Sequence, residues 1–136
     1  MDRKCILTAF GYAIIGLALG IYMAASHNHK QLVTHAHIML VGFVVSFIYG
    51  LCHKLWLDNT TSTLAVAQYY LYQAGSLALF VGLFLLYGGF VEAAAIDPVL
   101  GIASVVVLVG VVMMKVLFIK SGWEKGSKRG RESFPH

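Results

Sequence analysis

Residues 98–119 read PVLGIASVVVLVGVVMMKVLFI, an apolar run whose one charged side chain is Lys115. A helix of this length can cross a bilayer, since spanning the hydrocarbon core takes about 20 apolar residues. Three similar runs precede it, at about 5–25, 33–52 and 64–90. None of them alternates apolar with polar residues, as a closed membrane barrel requires. The sequence therefore predicts an all-α integral membrane protein, a bundle of four transmembrane helices in the lipid bilayer.

The composition supports the same fold class, because 59% of the residues are hydrophobic and only 12% are charged. A soluble domain needs more charge to cover its surface. We predict a transmembrane domain over 1–120 and a basic cytoplasmic tail over 121–136. The first apolar run is too long for a signal peptide, which indicates a retained helix. Pro98 is expected to open the fourth helix, with Asp97 as its cap.

The distribution of basic residues predicts the orientation. The chain has a net charge of +4, with Arg3 and Lys4 before the first span and a basic cluster after the fourth. These residues are not interleaved with aromatics, which favours anionic lipid over nucleic acid as the partner. The positive-inside rule predicts an inner-membrane protein with both termini cytoplasmic and the loops 26–32 and 91–97 outside.

A cluster of histidines lies at the predicted outer face, where residues 26–37 read SHNHKQLVTHAH. Ionisable groups that enter a membrane span are costly and suggest a functional site, and imidazole binds iron, copper and zinc. His35 and His37 differ by about 200° around a helix, so they serve two different sites. His27 and His29 are candidates for a separate hydrated metal site. The alternative is that all four hydrogen-bond headgroups, water or backbone.

The stretch from His27 to Gly42 has the pattern H-N-x(6)-H-x-H-x(4)-G. It resembles the tenth-helix region of subunit I of the haem–copper oxidases. In that family the first histidine of the H-x-H pair binds the high-spin haem and the second binds the low-spin haem. The resemblance implies that His35 and His37 are haem ligands. It also implies a non-redox metal pair at His27 and Asn28, although Asn28 stands where the family has an acidic residue.

The resemblance extends to the architecture. The large oxidase subunit has twelve helices that look like three four-helix units, and the second helix of each unit holds most of the redox metals. This chain is similar to one such unit, which implies a homotrimer of 12 helices. His35 of one chain would then face His37 of the next, with haem b between subunits. Such an iron has no open position, so we expect electron transfer or redox or gas sensing with an unidentified redox partner.

The chain also departs from the oxidases. The oxidase copper site uses a histidine four residues before a tyrosine and an adjacent His-His pair, neither of which occurs here. Reduction of oxygen by this chain alone is therefore not expected. One alternative is a copper or zinc binding or transfer protein that uses His27, His29, His35 and His37 without haem. A third hypothesis is an accessory subunit whose histidines only order an interface.

A second polar group is expected near the cytoplasmic face. His53 ends the second span about 27 Å from the outer histidine pair. It can gather with Gln68, Tyr72 and Gln73 of the third span, whose glutamines suit hydrogen bonds between helices. An aromatic belt at the membrane interface is the simpler explanation of the three tyrosines within 69–72.

Overall fold

The structure, a computed structural model, describes residues 1–58 and 62–132. Every regular element in these two ranges is helical. Four of the helices are long and apolar enough to cross a membrane, which confirms the predicted four-span bundle. In chain order they are α1 (Asp2–Ser26), α2 (Leu32–Leu55), α3 (Thr63–Tyr87) and α4 (Ala93–Glu132).

The fourth helix is longer at both ends than the sequence predicts. It begins at Ala93, so Pro98 lies inside the helix and Asp97 does not cap it. The carbonyl of Glu92 accepts hydrogen bonds from the amides of Ala95 and Ile96, which starts the helix one turn before the proline. At its other end α4 continues to Glu132, so most of the tail is helical, and 133–136 lie outside the described residues. A helix of 40 residues is about 60 Å long and extends well beyond a bilayer core of about 30 Å.

The helices pack as two hairpins. α1 lies against α2 along its length, and α3 lies against α4. We call the end that carries residues 27–37 and 88–92 the histidine end. The opposite end, with the N-terminus and residues 56–58 and 62, is the basic end. Ser62 caps α3 there, since its hydroxyl accepts a hydrogen bond from the amide of Ala65.

The middle of α2 departs from α-helical geometry. Residues Ile38–Val44 form a π-helical segment, in which the carbonyls are displaced from their usual partners. The hydroxyl of Tyr72 donates to the carbonyl of Val41 at 2.7 Å, a bond from α3 to this segment. The π-helical segment therefore helps to join the two hairpins.

The buried tyrosine corrects one expectation. Tyr72 is 1% exposed and packs against Tyr49, with their ring centroids 4.9 Å apart. It is therefore a core residue, and the aromatic-belt interpretation is wrong for it. Tyr70 is 55% exposed and accepts a hydrogen bond from Lys4, as expected of a residue on the outer surface.

Gly42, within the π-helical segment, lies where α1, α2 and α3 meet. A Cβ placed there would lie 2.8 Å from Tyr12 Cγ and 3.1 Å from Phe80 Cε2. We predict that Gly42→Ala lowers the free energy of unfolding in detergent by about 1–3 kcal/mol, because the crowded rings must move.

Gly101→Ala in α4 is the matched control, since a Cβ there has no atom within 4 Å. It should leave the stability unchanged or raise it by about 0.5–1 kcal/mol, because alanine is the better helix former. Equal effects of the two substitutions on unfolding would contradict the packing at Gly42.

Candidate functional site

The histidine pair lies in the first two turns of α2. A short connection precedes this helix, and it starts at His27, where the backbone adopts a left-handed conformation with φ of 55° and ends α1. α2 then begins at Leu32, so His35 and His37 are its fourth and sixth residues. Both side chains are half-buried in the single chain.

A small hydrogen-bonded network fixes the rotation of α2 beside the pair. Thr34 is fully buried, and its hydroxyl donates to Gln31 Oε1 at 2.7 Å. The amide of Gln31 in turn donates to the carbonyl of Phe84 in α3 at 3.0 Å. Because Thr34 is held on the α3 side, the neighbouring histidines must lie on the flanks of that buried face.

His35 lies against α1. Its Nδ1 is 2.7 Å from the carbonyl oxygen of Gly16. A Cβ at Gly20 would lie 3.0 Å from His35 Cε1, so the imidazole occupies the space left by this glycine. Gly16 of α1 therefore supplies the hydrogen-bond acceptor for the His35 ring, and Gly20 leaves the space that the ring occupies.

His37 makes its hydrogen bond within its own helix. Its Nδ1 is 2.8 Å from the carbonyl oxygen of Val33, one turn earlier. Val33 and Leu40 lie one turn to either side of His37 and are 37% and 59% exposed. The ring thus belongs to an apolar stripe on the surface of the bundle.

The two hydrogen bonds fix the tautomer of both rings. A carbonyl oxygen only accepts hydrogen bonds, so Nδ1 of His35 and of His37 must carry the proton. In a neutral imidazole this leaves the lone pair on Nε2. Histidines that ligate metals are usually held in this way, with one ring nitrogen bonded to a carbonyl or carboxylate and the other free for the metal.

The loop histidines are in a different environment. His27 and His29 are exposed. Asn28 Oδ1 accepts a hydrogen bond from the amide of Lys30 at 3.1 Å, so this oxygen stabilises the turn. Nowhere in 1–58 or 62–132 do three histidine, cysteine or acidic side chains lie close enough together to hold one metal ion.

Some parts of this site were not predicted from the sequence. The carbonyl of Gly16 and the Gln31–Thr34 network are the groups that orient the pair. No residue pattern in the sequence indicated that the His35 ring would fill the space beside Gly20.

Comparisons with protein-family models, curated proteins and solved structures found no match to this chain.

Proposed function

We propose that this protein is a membrane-bound haem protein of electron transfer or redox or gas sensing, in which haem b is held between subunits by His35 and His37. The observation that carries the proposal is that both rings donate Nδ1–H to a backbone carbonyl. Each Nε2 is then left as a ligand of fixed orientation.

The placement of the pair supports a site between chains. His35 lies on α1, whereas His37 bonds along its own helix. Their separation by about 200° prevents them from reaching opposite faces of one haem within the same chain. A ring of chains solves this problem, since each chain supplies a His35 to one site and a His37 to the next.

The resemblance to the haem–copper oxidases supports a ring of three. Three copies of this bundle give twelve helices with the histidine-bearing helix second in each unit. Val33 and Leu40 beside His37 provide apolar surface for a porphyrin or for the neighbouring chain. The surface around His37, which would lie against the neighbouring chain, thus suits the apolar face of a porphyrin.

His35 of one chain and His37 of the next would hold the haem, which would supply a reversible one-electron couple. The residues of the chain orient the two ligands. Gly16 and Val33 fix the tautomers of the two rings, and Thr34 fixes the rotation of the helix that carries both. This arrangement suits electron transfer or sensing.

The proposed orientation puts the basic end in the cytoplasm and the haem near the outer face. It rests on the basic residues around the N-terminus and in the tail. In the inner membrane, the basic helical extension of α4 after Ile119 would then face anionic lipid and the cytoplasm.

The test of the proposed function is the absorption spectrum of the full chain, purified in detergent from haem-replete cells, together with its mass. The proposal predicts a Soret band, sharp low-spin bands on reduction, and about one haem per chain in a trimer. Colourless protein that contains zinc or copper by elemental analysis would overturn it in favour of a metal-binding or metal-transfer role.

A further inference from the structure

A column of buried polar side chains fills the bundle between its middle and the basic end, away from the histidine pair. It is formed where one face of α2 meets one face of α3. The members on the two helices follow each other at spacings of about one turn. We call this set the buried polar column; its members are Ser46, Tyr49, His53, Gln68, Tyr72, Gln73 and Ser76.

Several atoms of the column lack the hydrogen bonds that burial requires. Both ring nitrogens of His53 are fully buried without a partner among the residues that the structure describes. The same holds, within those residues, for the hydroxyl of Tyr49 and for Oε1 of Gln68 and Gln73. An unpaired buried polar group is destabilising, and lipid offers no substitute partner. A polar ligand in the column removes this cost.

The orientation of the glutamines indicates what that ligand must do. The amide nitrogen of Gln68 donates to the carbonyl of Gly110 at 3.1 Å, and that of Gln73 donates to the hydroxyl of Ser46 at 3.1 Å. Both Oε1 atoms are therefore left as acceptors. The column thus needs donors, and water supplies two per molecule.

A protonated His53 ring would also supply hydrogen-bond donors to the unpaired acceptors of the column. Protonation turns the acceptor nitrogen of the ring into a second donor, so His53 then offers two N–H groups to the oxygens and waters around it. The charged groups that act on it electrostatically are the N-terminal amino group and Asp2 of α1. Other titratable side chains packed in the core are Cys5 of α1, Tyr49 and Cys52 of α2, and Tyr72 of α3. The Asp2 carboxylate is the one anion among them.

Access to the column differs at its two ends. A cleft of about 330 Å³ lies at the basic end between the start of α1 and the end of α2. Its lining combines Asp2, Arg3 and Lys54 with apolar residues of both helices and reaches Gly50, short of the column itself. Gly50 is one turn from His53 on the same helix. Toward the histidine end the column is closed by an apolar layer, whose buried members include Ile38, Leu79, Phe80 and Leu83.

We infer that His53 is a proton-binding site within the membrane, hydrated by internal water and reached from the basic end only. A proton from the aqueous phase at that end binds the free ring nitrogen, and the imidazolium donates to the waters held by Gln68, Gln73 and Tyr49. Release returns the proton by the same route. This site is independent of the proposed haem site.

The experiment is NMR of the full chain in lipid nanodiscs with ¹⁵N-labelled histidine, and His53→Gln assigns the ring signals. The inference predicts that the His53 ring titrates reversibly between about pH 5 and pH 9 and shows a cross-peak to water. A His53 ring that keeps one neutral form over this range, with no cross-peak to water, would overturn it.

A second variant covers the case in which His53→Gln does not fold. Gln73→Leu removes one acceptor and should weaken the water cross-peak of the His53 ring several-fold, since leucine cannot hold water. Leu77→Ala, at a position on α3 that is 51% exposed, should leave it unchanged. An unaltered cross-peak in Gln73→Leu would show that the column does not hold the water.

Discussion

His35→Ala and His37→Ala are each expected to abolish haem binding completely. Every proposed site takes one ligand from each position, so the loss of either histidine removes half of every site in the ring. With one of the two ligands gone, the haem would no longer be held from both subunits, and binding between them would lose its basis. The measurement is the ratio of Soret absorbance to protein for each purified variant.

The loop histidines provide the matched controls. His27→Ala and His29→Ala change exposed side chains of the same type in the same region of the chain. Both variants should keep the haem content of the natural protein. Retention of haem after the loss of only one member of the pair would contradict shared ligation.

Gly20→Leu is expected to lower haem affinity by about 10- to 100-fold without changing either ligand. A Cβ at this position already lies 3.0 Å from His35 Cε1, so a leucine side chain occupies the space of the ring. The ring must turn away and lose its hydrogen bond to the Gly16 carbonyl. Haem titration of the purified apoprotein measures the change.

The control for this variant is Gly11→Leu. Gly11 lies in the same helix, and a Cβ there has no atom within 4 Å. The cost of replacing a helical glycine is thus the same in the two variants, but only Gly20 touches the His35 ring. A comparable loss of haem affinity in both would show that α1 acts through the overall stability of the protein. It would not then act through the space that Gly20 leaves for the His35 ring.

The four spans were predictable because a membrane imposes a simple requirement. About 20 apolar residues are needed for each crossing, and four runs meet that length. The start of α4 was harder, since Pro98 is tolerated in the second turn and the helix begins at Ala93. The local alanines and the Glu92 carbonyl outweigh the usual position of proline.

The site was only partly predictable. The period of a helix is enough to separate His35 from His37, but it does not reveal what each ring contacts. The bond from His35 to Gly16 joins residues 19 positions apart, and it depends on how α1 packs against α2. The π-helical segment Ile38–Val44 leaves no mark in the sequence that we recognised, although it sets the register between the pair and the buried polar column.

The buried polar column was also only partly predictable from the sequence. His53, Gln68, Tyr72 and Gln73 were expected to gather, and all four are buried in the bundle. Their unpartnered atoms depend on side-chain rotations within the packed helices. An interfacial position requires exposure, which Tyr70 has, whereas Tyr72 only two residues later is buried in the core.

The most direct test of haem binding between subunits uses His35→Ala and His37→Ala chains, co-expressed with two different affinity tags and purified through both. Every mixed ring of three contains one junction at which an intact His35 meets an intact His37 of the next chain, so the account predicts about one haem per three chains. Mixed trimers without haem, alongside natural trimers that bind it, would contradict the account.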